Sequence, residues 1–304
     1  MNEFLIEKMK MSDNLNAYSA MSGVVILWAI SWPLGRVVAT GGLGANPIFA
    51  AFLRYLIAIP FLFLFMKIFG NNLAYPKKYT KAMIIFGVLH VTLYNFFFLS
   101  SLRYTSSSDA VLILNAAIAV MSAVLASIVY DDEKLNRKRI FGLGITMIGV
   151  LIVFIASPNT DVENPLLGNM IILLAALVWS IYTVYSRDYY EEIKPLPFQF
   201  WTTIWGWLFL GIFAIFEVII INDFSIDITT YGALLYLGVF GAAIPNTLFS
   251  KSINHIGPTR TSIIINLIPL MSIFASIILI GEEFSISYLY SFFFMMIGIY
   301  FVNK

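Results

Sequence analysis

The stretch ILWAISWPLGRVV at residues 26–38 returns in a related form as LVWSIYTVYSR at residues 177–187. Trp28 and Arg36 lie 151 positions before Trp179 and Arg187. The same offset, with no gap, joins further identical residues: Ile30 and Ile181, Gly87 and Gly238, Val88 and Val239, Asn95 and Asn246, Phe98 and Phe249, Ser101 and Ser252, Asn115 and Asn266. A fixed period of identity predicts that the chain consists of two copies of one structural unit.

The composition places both copies in a membrane. The chain is 60% hydrophobic and 12% charged, and its mean hydropathy is +0.87. Its apolar stretches are continuous and close to the roughly 20 residues that cross a bilayer as a helix. They lie at about residues 18–39, 47–69, 81–102, 108–129, 139–157, 167–187, 197–221, 231–251, 260–281 and 285–302. We therefore predict an all-α polytopic membrane protein with ten transmembrane helices.

Ten spans divide into two units of five. Residues 18–157 and 167–303 would form the two repeats, joined by a connector that begins SPNTD at residues 157–161. Residues 1–17 precede the first span as an N-terminal tail. A unit with an odd number of spans, copied in tandem, enters the membrane in the opposite orientation, which is typical of alternating-access transporters.

The basic residues predict the orientation. Of the 18 Lys and Arg residues, fifteen lie in the tails or in loops on the N-terminal side, Arg103 lies on the other side, and Arg36 and Arg54 lie within spans. Because basic loops stay on the cytoplasmic side, both termini are expected to be cytoplasmic and the chain to lie in the cell membrane.

Several stretches resemble the drug/metabolite transporter superfamily, in its EamA-like branch. They include ILWAISWPLGRVV in the first span, FLRYLIA in the second, FFFLSSLRYTSSSDAVLIL across the third and fourth, and DDEKLNRKRIFGLGITMIGVLIV into the fifth. The second copy repeats the layout in LAALVWSIYTVYSR, SKSINHIGPTRTSIIINLIPL and LIGEEFS. The resemblance implies a ten-helix carrier of small organic metabolites, often an exporter, with a cavity lined by the first four helices of each half. One departure is Ile118, where the family often has a proline and the second copy has Pro269.

Polar and aromatic residues on the first helix of each copy share one helical face. We predict that they line a cavity: Trp28, Ser31 and Trp32 in the first copy, and Trp179, Tyr182 and Thr183 in the second. A packing interface is the alternative. Arg36 and Arg187, near the span ends, are expected to extend to the membrane surface.

Arg54 lies well inside the second span, where a charge costs at least about 2.5 kcal/mol without partners or water. It could bind a substrate carboxylate, or it could join helices together with Asn95, Asn115, Asn246 and Asn266. The predicted cavity residues are completed by Arg54, these four asparagines, and His90 and Tyr94 of the third span.

The acidic residues Asp109, Glu217 and Glu282 fall toward span ends, so the sequence predicts facilitated transport or exchange, or proton coupling through His90. Glu217 in an aqueous vestibule is the alternative proton carrier.

The motifs support no enzyme chemistry, cofactor, metal site or nucleic-acid binding. The acidic cluster at Asp131–Glu133 is interpreted as a solvated helix end. A secondary carrier, with a lipid-bilayer environment and a possible homodimer, is the leading function. A membrane enzyme acting on lipid or polyprenyl substrates, a channel and a receptor are the alternatives.

The predicted topology can be tested with reporter fusions. Fusions at Gly44, Val162 and Ile226 should report the outside, and fusions at Ala74, Lys134 and Lys304 should report the cytoplasm. An external signal at Lys134 or Lys304 would contradict the ten-span arrangement.

Overall fold

The computed structural model describes residues 3–44, 46–156, 162–221, 225–256, 261 and 264–302, and this part of the chain is built from helices. Their bounds are α1 Glu3–Thr40, α2 Pro47–Ile68, α3 Thr80–Gly87, α4 Tyr94–Tyr104, α5 Ser107–Val129, α6 Arg137–Ala156, α7 Pro165–Glu192, α8 Pro195–Ile221, α9 Ile228–Gly238, α10 Ile244–Ile256, α11 Ile268–Ile280 and α12 Ile286–Val302. Short 3₁₀ turns lie at Lys77–Tyr79 and Asp131–Glu133.

Within the described ranges, eight helical segments are long and apolar enough to cross a membrane, and α11 and α12 are shorter apolar helices. The chain is therefore a polytopic membrane protein. The helix of the first span begins at Glu3, so residues 3–17 of the predicted tail continue that helix. The connector residues 157–161 and the last two residues of the chain lie outside the described residues.

Two π-helical segments interrupt the bundle, at Val88–Leu93 and Val239–Ala243. Their first residues are 151 positions apart, as the sequence repeat is. In the second copy Pro245 follows, and because proline has no N–H it cannot donate to the carbonyl of Gly241. Neither segment was predicted from the sequence, although π turns within helices are frequent at functional sites.

The helices pack in pairs that remain equivalent when the two copies are exchanged. Helix α1 packs against α10 and α11 of the second copy, and α7 packs against α4 and α5 of the first. Helix α2 packs against α8, its own counterpart, and α6 packs against α12 in the same way. Self-complementary pairing of this kind is what a two-fold relation between similar units produces.

Hydrogen bonds define the two ends of the bundle. At one end, called here the Arg36 end, Arg36 donates to the carbonyl of Thr105, and the N–H of Ser225 donates to Gly42. At the other, the Arg187 end, the Tyr130 hydroxyl donates to the Asp188 carboxylate over 3.0 Å. Each of these ends joins helix termini from both copies.

The fourth helices of the two copies differ where the sequence differs. Helix α5 continues through Ile118 without a break. The second copy has a turn at Asn266 and Leu267, directly before α11 and its Pro269. A proline at the second helical position is well tolerated, because that N–H has no partner within the helix.

Two repeated glycines, Gly87 and Gly238, each precede a π segment and contact the second helix of the other copy. A Cβ on Gly87 would lie 2.5 Å from the Thr202 carbonyl oxygen, and one on Gly238 would lie 2.8 Å from the Arg54 carbonyl oxygen. Such distances to backbone atoms leave no room for a side chain. Small residues allow helix backbones to approach closely within membranes.

Gly87→Ala should destabilise the bundle by about 1–3 kcal/mol, because α3 and α8 must separate to admit the methyl group. Gly144→Ala is the control, since a Cβ there meets nothing within 4 Å. We expect a lower melting temperature in detergent for Gly87→Ala and for Gly238→Ala. Equal melting temperatures for the Gly87→Ala and Gly144→Ala variants would show that the close contact is unimportant.

Candidate substrate site

Arg54 joins three helices at the centre of the candidate site. Its side chain is buried, with 8% of the residue exposed. Nη1 donates to Oδ1 of Asn95 on α4 over 2.9 Å, and Nε donates to the carbonyl of Leu237 on α9 over 3.3 Å. The guanidinium carbon also lies 5.6 Å from the ring centre of Tyr55. Arg54 therefore links α2 to both copies of the repeat.

Asn95 supports Arg54 from the end of the first π segment. Its Nδ2 donates to the Tyr55 hydroxyl over 3.1 Å and to the carbonyls of Val91 and His90 over 2.9 and 3.4 Å. The Asn95 amide thus donates to backbone carbonyls of the π segment, where the regular helical hydrogen bonds are interrupted. The predicted joining of helices by Arg54 and Asn95 agrees with this geometry.

The Arg54 charge is surrounded by neutral acceptors. The ion pairs formed within the described ranges involve other residues, such as Arg36 with Glu282 and Lys78 with Glu192. A buried cation without a carboxylate partner is costly, because amide and carbonyl dipoles replace only part of its hydration. An anionic group brought to Arg54 would therefore be stabilised.

His90, Tyr94, Trp179 and Tyr182 form an aromatic cluster across the interface between α7 and the third span. The His90 ring stacks on Tyr182 at 4.7 Å between centroids, and Tyr94 lies 4.8 Å from Trp179. His90 also lies 5.3 Å from Trp179. The structure therefore brings together predicted cavity residues from both copies, and Nδ1 of His90 is buried with no partner among the described residues.

Trp32 extends this cluster toward α1 through Phe98. Phe98 stacks on Tyr94 at 5.9 Å, and Trp32 meets Phe98 edge to face at 5.1 Å. Edge-to-face and stacked rings add roughly 0.5–1.5 kcal/mol per pair beyond their buried area. The result is a continuous aromatic surface from α1 to α7.

Trp28 is the counterpart of Trp179 and contacts the other π segment. Its Nε1 donates to the Gly241 carbonyl over 3.2 Å, the carbonyl to which Pro245 cannot donate. The neighbouring Ser31 hydroxyl donates to Leu27 of its own helix over 2.8 Å. Each repeated tryptophan thus lies against a π segment of the opposite copy.

The remaining predicted residues are less central. The Asn115 amide donates to the Val111 carbonyl of its own helix over 2.8 Å, and its role in joining helices stays a prediction. Asn246 and Asn266 are half-buried and lie outside the Arg54 network as the described residues form it. Thr183 donates to the Trp179 carbonyl over 2.9 Å and is exposed.

Thr183 reveals an opening at the Arg187 half of the bundle. Met170, Leu174, Leu177 and Tyr185 are exposed on one face of α7, as lipid-facing residues are. Thr183 is nine residues from Leu174, so at about 100° per residue it points to the opposite side. Its exposure therefore indicates a space inside the bundle.

Helix α5 shows the same asymmetry along its length. From Ser107 to Ala117 every residue except Asn115 is buried, whereas none from Ile118 to Val129 is buried. A helix that faces lipid on one side alone would keep a buried face. The second half of α5 is therefore accessible on its inner side too, and the interior is open toward the Arg187 end and closed toward the Arg36 end.

Three residues that were predicted near the membrane surface form contacts within the protein: Arg36, Glu217 and Glu282. Arg36 was expected to extend outward, but it contacts Thr105 and lies 3.7 Å from Glu282. Glu217 accepts hydrogen bonds from the N–H groups of Ile48 and Phe49 over 3.3 and 2.7 Å. A carboxylate in the last turn of α8 thus caps the first turn of α2, where positive partial charge attracts it.

This cap was not predicted, because the depth of a residue in the membrane does not indicate which helix start it can reach. Nothing in the sequence indicated this cap, because Asn46 before Pro47 is typical of a side-chain N-cap, whereas in the structure Asn46 provides none. An uncapped helix start in a membrane needs a partner from elsewhere.

The described residues contain no cluster of three His, Asp or Glu residues that could hold a metal ion.

Comparison with known proteins gives a consistent result. The EamA-like transporter family matches the chain twice, at residues 15–155 and 166–304. The uncharacterized transporter YyaM of Bacillus subtilis (strain 168) is 24% identical over 86% of this chain and 86% of its own length. A probable amino-acid metabolite efflux pump of Salmonella typhimurium (strain LT2) is 23% identical over 91% of this chain and 92% of its own.

One solved crystal structure superposes with a TM-score of 0.61 at 17% identity, over 93% of this chain and 98% of that one. At this identity the likeness shows the fold alone. The helices, the polar centre and the two matched copies define a polytopic membrane transporter. The chain belongs to the EamA-like transporter family.

Asn95→Ala should lower the stability of the folded bundle by about 1–3 kcal/mol, because it leaves Arg54 and the Val91 carbonyl with fewer partners. Asn115→Ala is the matched control, since it removes a bond within one helix only. The melting temperatures of the two variants, purified in detergent, provide the comparison. A loss for Asn115→Ala as large as that for Asn95→Ala would contradict the assignment.

Proposed function

We propose that this chain is a secondary carrier that exports a small organic metabolite by alternating access. Its halves would be two inverted five-helix repeats with ten spans in total, and both termini would be cytoplasmic. In this arrangement the Arg187 end faces the cytoplasm and the Arg36 end faces outward. The structure would then correspond to an inward-open state.

One observation carries the proposal: a buried polar and aromatic centre that opens toward one end of the bundle only. The exposure of Thr183 and of the second half of α5 supports the opening, and the burial of Ser107 to Leu114 supports the closure. A pore would be accessible from both ends. Exchange-equivalent packing of the helices supports a second state in which the open and closed ends are reversed.

The chemistry of the centre favours a substrate with an anionic group and an apolar or aromatic part. Within the described residues the Arg54 guanidinium uses two of its five N–H donors, on Asn95 and Leu237. A carboxylate can bind the remaining donors as a planar pair. The aromatic cluster of His90, Tyr94, Trp179 and Tyr182 would contact the rest of the molecule.

Amino acids fit this description, and one relative is described as a probable amino-acid metabolite efflux pump. Inside-out vesicles would be incubated with each member of a panel of amino acids and organic acids. Uptake into these vesicles corresponds to export from the cell. Uptake that saturates and undergoes counterflow supports a carrier. An ion conductance without counterflow would indicate a channel, and chemical conversion of a lipid substrate would indicate an enzyme.

Arg54→Lys should reduce substrate affinity by about tenfold or more, because an ammonium group cannot reproduce the planar pair of donors. Asn95→Asp places a competing carboxylate 2.9 Å from Arg54, if it keeps the place of Oδ1. We expect this variant to fold and to lose transport. Counterflow and melting temperature should be measured on both variants.

Unchanged transport in a folded Asn95→Asp variant would contradict a substrate-binding role for Arg54. Loss of folded protein in both variants would show that Arg54 is structural. Trp207→Phe on α8 is the control, because Trp207 stacks on Phe52 and takes no part in the Arg54 hydrogen bonds.

A further inference from the structure

Glu282 connects the two copies at the Arg36 end. Gly281 ends α11 in the left-handed conformation, with φ at 70°, and the chain then turns Glu282 toward the start of α5. Oε1 accepts from the N–H and hydroxyl of Ser107, each over 2.7 Å. Oε2 accepts from the N–H and hydroxyl of Ser108 over 3.0 and 2.6 Å. One carboxylate thus takes four hydrogen bonds from the first turn of a helix in the other copy.

Arg36 completes this connection. Its Nε lies 3.7 Å from Oε1 of Glu282, and the two side chains are 15% and 6% exposed. It also donates to the Thr105 carbonyl at the end of α4. We call the group of Arg36, Glu282, Ser107 and Ser108 the Arg36 latch. Charge-assisted hydrogen bonds shielded from water are among the stronger polar contacts in proteins.

The repeat places the same residue types at the opposite end. Arg187 lies 151 positions after Arg36, and Asp131 lies 151 positions before Glu282. Nη1 of Arg187 is 3.7 Å from Oε1 of Glu133, two residues beyond Asp131. At both ends a basic residue from the first helix of one copy therefore faces acidic residues that follow the fourth helix of the other copy.

The two pairs have the same N–O separation of 3.7 Å and differ in how far they are buried. The side chains of Arg187 and Glu133 are 53% and 34% exposed. Oε2 of Glu133 accepts from Arg139 of its own copy over 3.0 Å, instead of from a helix start of the other copy. The pair at the Arg187 end is therefore more exposed and lacks the four hydrogen bonds to a helix start, although the Arg187 guanidinium carbon lies 4.8 Å from the ring centre of Tyr130.

We propose that the two pairs are latches that close in alternation. The Arg36 latch holds the Arg36 end shut in this state, and Arg187 closes on the acidic stretch Asp131–Glu133 when the Arg36 latch opens. This inference deepens the proposed function, since it rests on alternating access. A rocking motion of the two copies separates one end as it brings the other together, so both latches cannot be tight at once.

The chain has no cysteine, so a single introduced thiol reports accessibility. Ser272 is fully buried one turn below Ser276, whose hydroxyl contacts that of Ser107 over 2.8 Å. Ser272→Cys should therefore react with a membrane-impermeant maleimide from the Arg36 side only when that end opens. Full-length protein in right-side-out vesicles is the sample.

Glu282→Gln should raise the initial labelling rate of Ser272→Cys by about tenfold, because it removes charge from four hydrogen bonds and an ion pair. Glu283→Gln, next to it and exposed, is the control and should leave the rate unchanged. Adding Arg187→Gln to Glu282→Gln should lower the rate again, because it weakens the latch of the other state. If Glu282→Gln only loosened α5 locally, adding Arg187→Gln at the opposite end would leave the labelling rate unchanged.

If Glu282→Gln does not accumulate, the double variant Ser107→Ala/Ser108→Ala replaces it, since this keeps both backbone N–H donors. Equal labelling rates in the latch variant and in the Glu283→Gln variant would overturn the proposal, as would a raised rate that Arg187→Gln does not reduce. Counterflow by the wild type is measured separately. Its absence, with labelling as expected, would overturn the carrier function and leave the latches intact.

Discussion

Inside a bilayer every backbone N–H and C=O needs a partner from the protein itself, because the hydrocarbon offers none. Regular helices meet this demand within themselves, except at their starts and at breaks. In this protein several of these exceptions are points where the two copies bind each other. The Gly241 carbonyl accepts from Trp28, and the first N–H groups of α2 and α5 donate to Glu217 and Glu282.

This constraint explains why the interface between the copies is polar at a few points within an apolar surface. Apolar packing between membrane helices gains little from water exclusion, because lipid chains are as apolar as leucine. Unpaired backbone groups at helix starts and π segments provide directional contacts in its place. A contact that satisfies a helix start can also be released when water enters, which suits the alternating access that we propose.

The sequence predicted the class of polytopic membrane protein and the family, because each depends on many residues. Periodic identity and continuous apolar stretches survive small errors in boundaries. It also brought His90, Tyr94, Trp179 and Tyr182 forward as candidates, and these four do meet. Depth in the membrane does not say whether an amide binds its own helix or a neighbouring one, and the Asn115 amide donates to Val111 of its own helix.

The π segments and the helix caps could not be predicted from the sequence. A π turn depends on which carbonyls are freed and on what takes them, and here Trp28 comes from 213 residues away to take one. Glu217 and Glu282 were correctly predicted near span ends. Their depth in the membrane, taken alone, indicated that water would surround them. The positive φ of Gly281 and the missing side-chain cap at Asn46 redirect these carboxylates into the protein.

The two copies differ at the polar centre, and that difference bears on the substrate. Arg54 has Trp205 at the position 151 residues later, and His90 has Gly241. A strictly two-fold site would carry two arginines and would hold a symmetric pair of charges. One arginine beside one histidine instead makes the centre electrostatically asymmetric, with positive charge near α2 and rings near α7. A small molecule with a charged end and an apolar end could bind there in one orientation while the surrounding helices exchange their roles. The backbone relation between the copies would then supply the motion, and the side chains that broke the repeat would supply the selectivity.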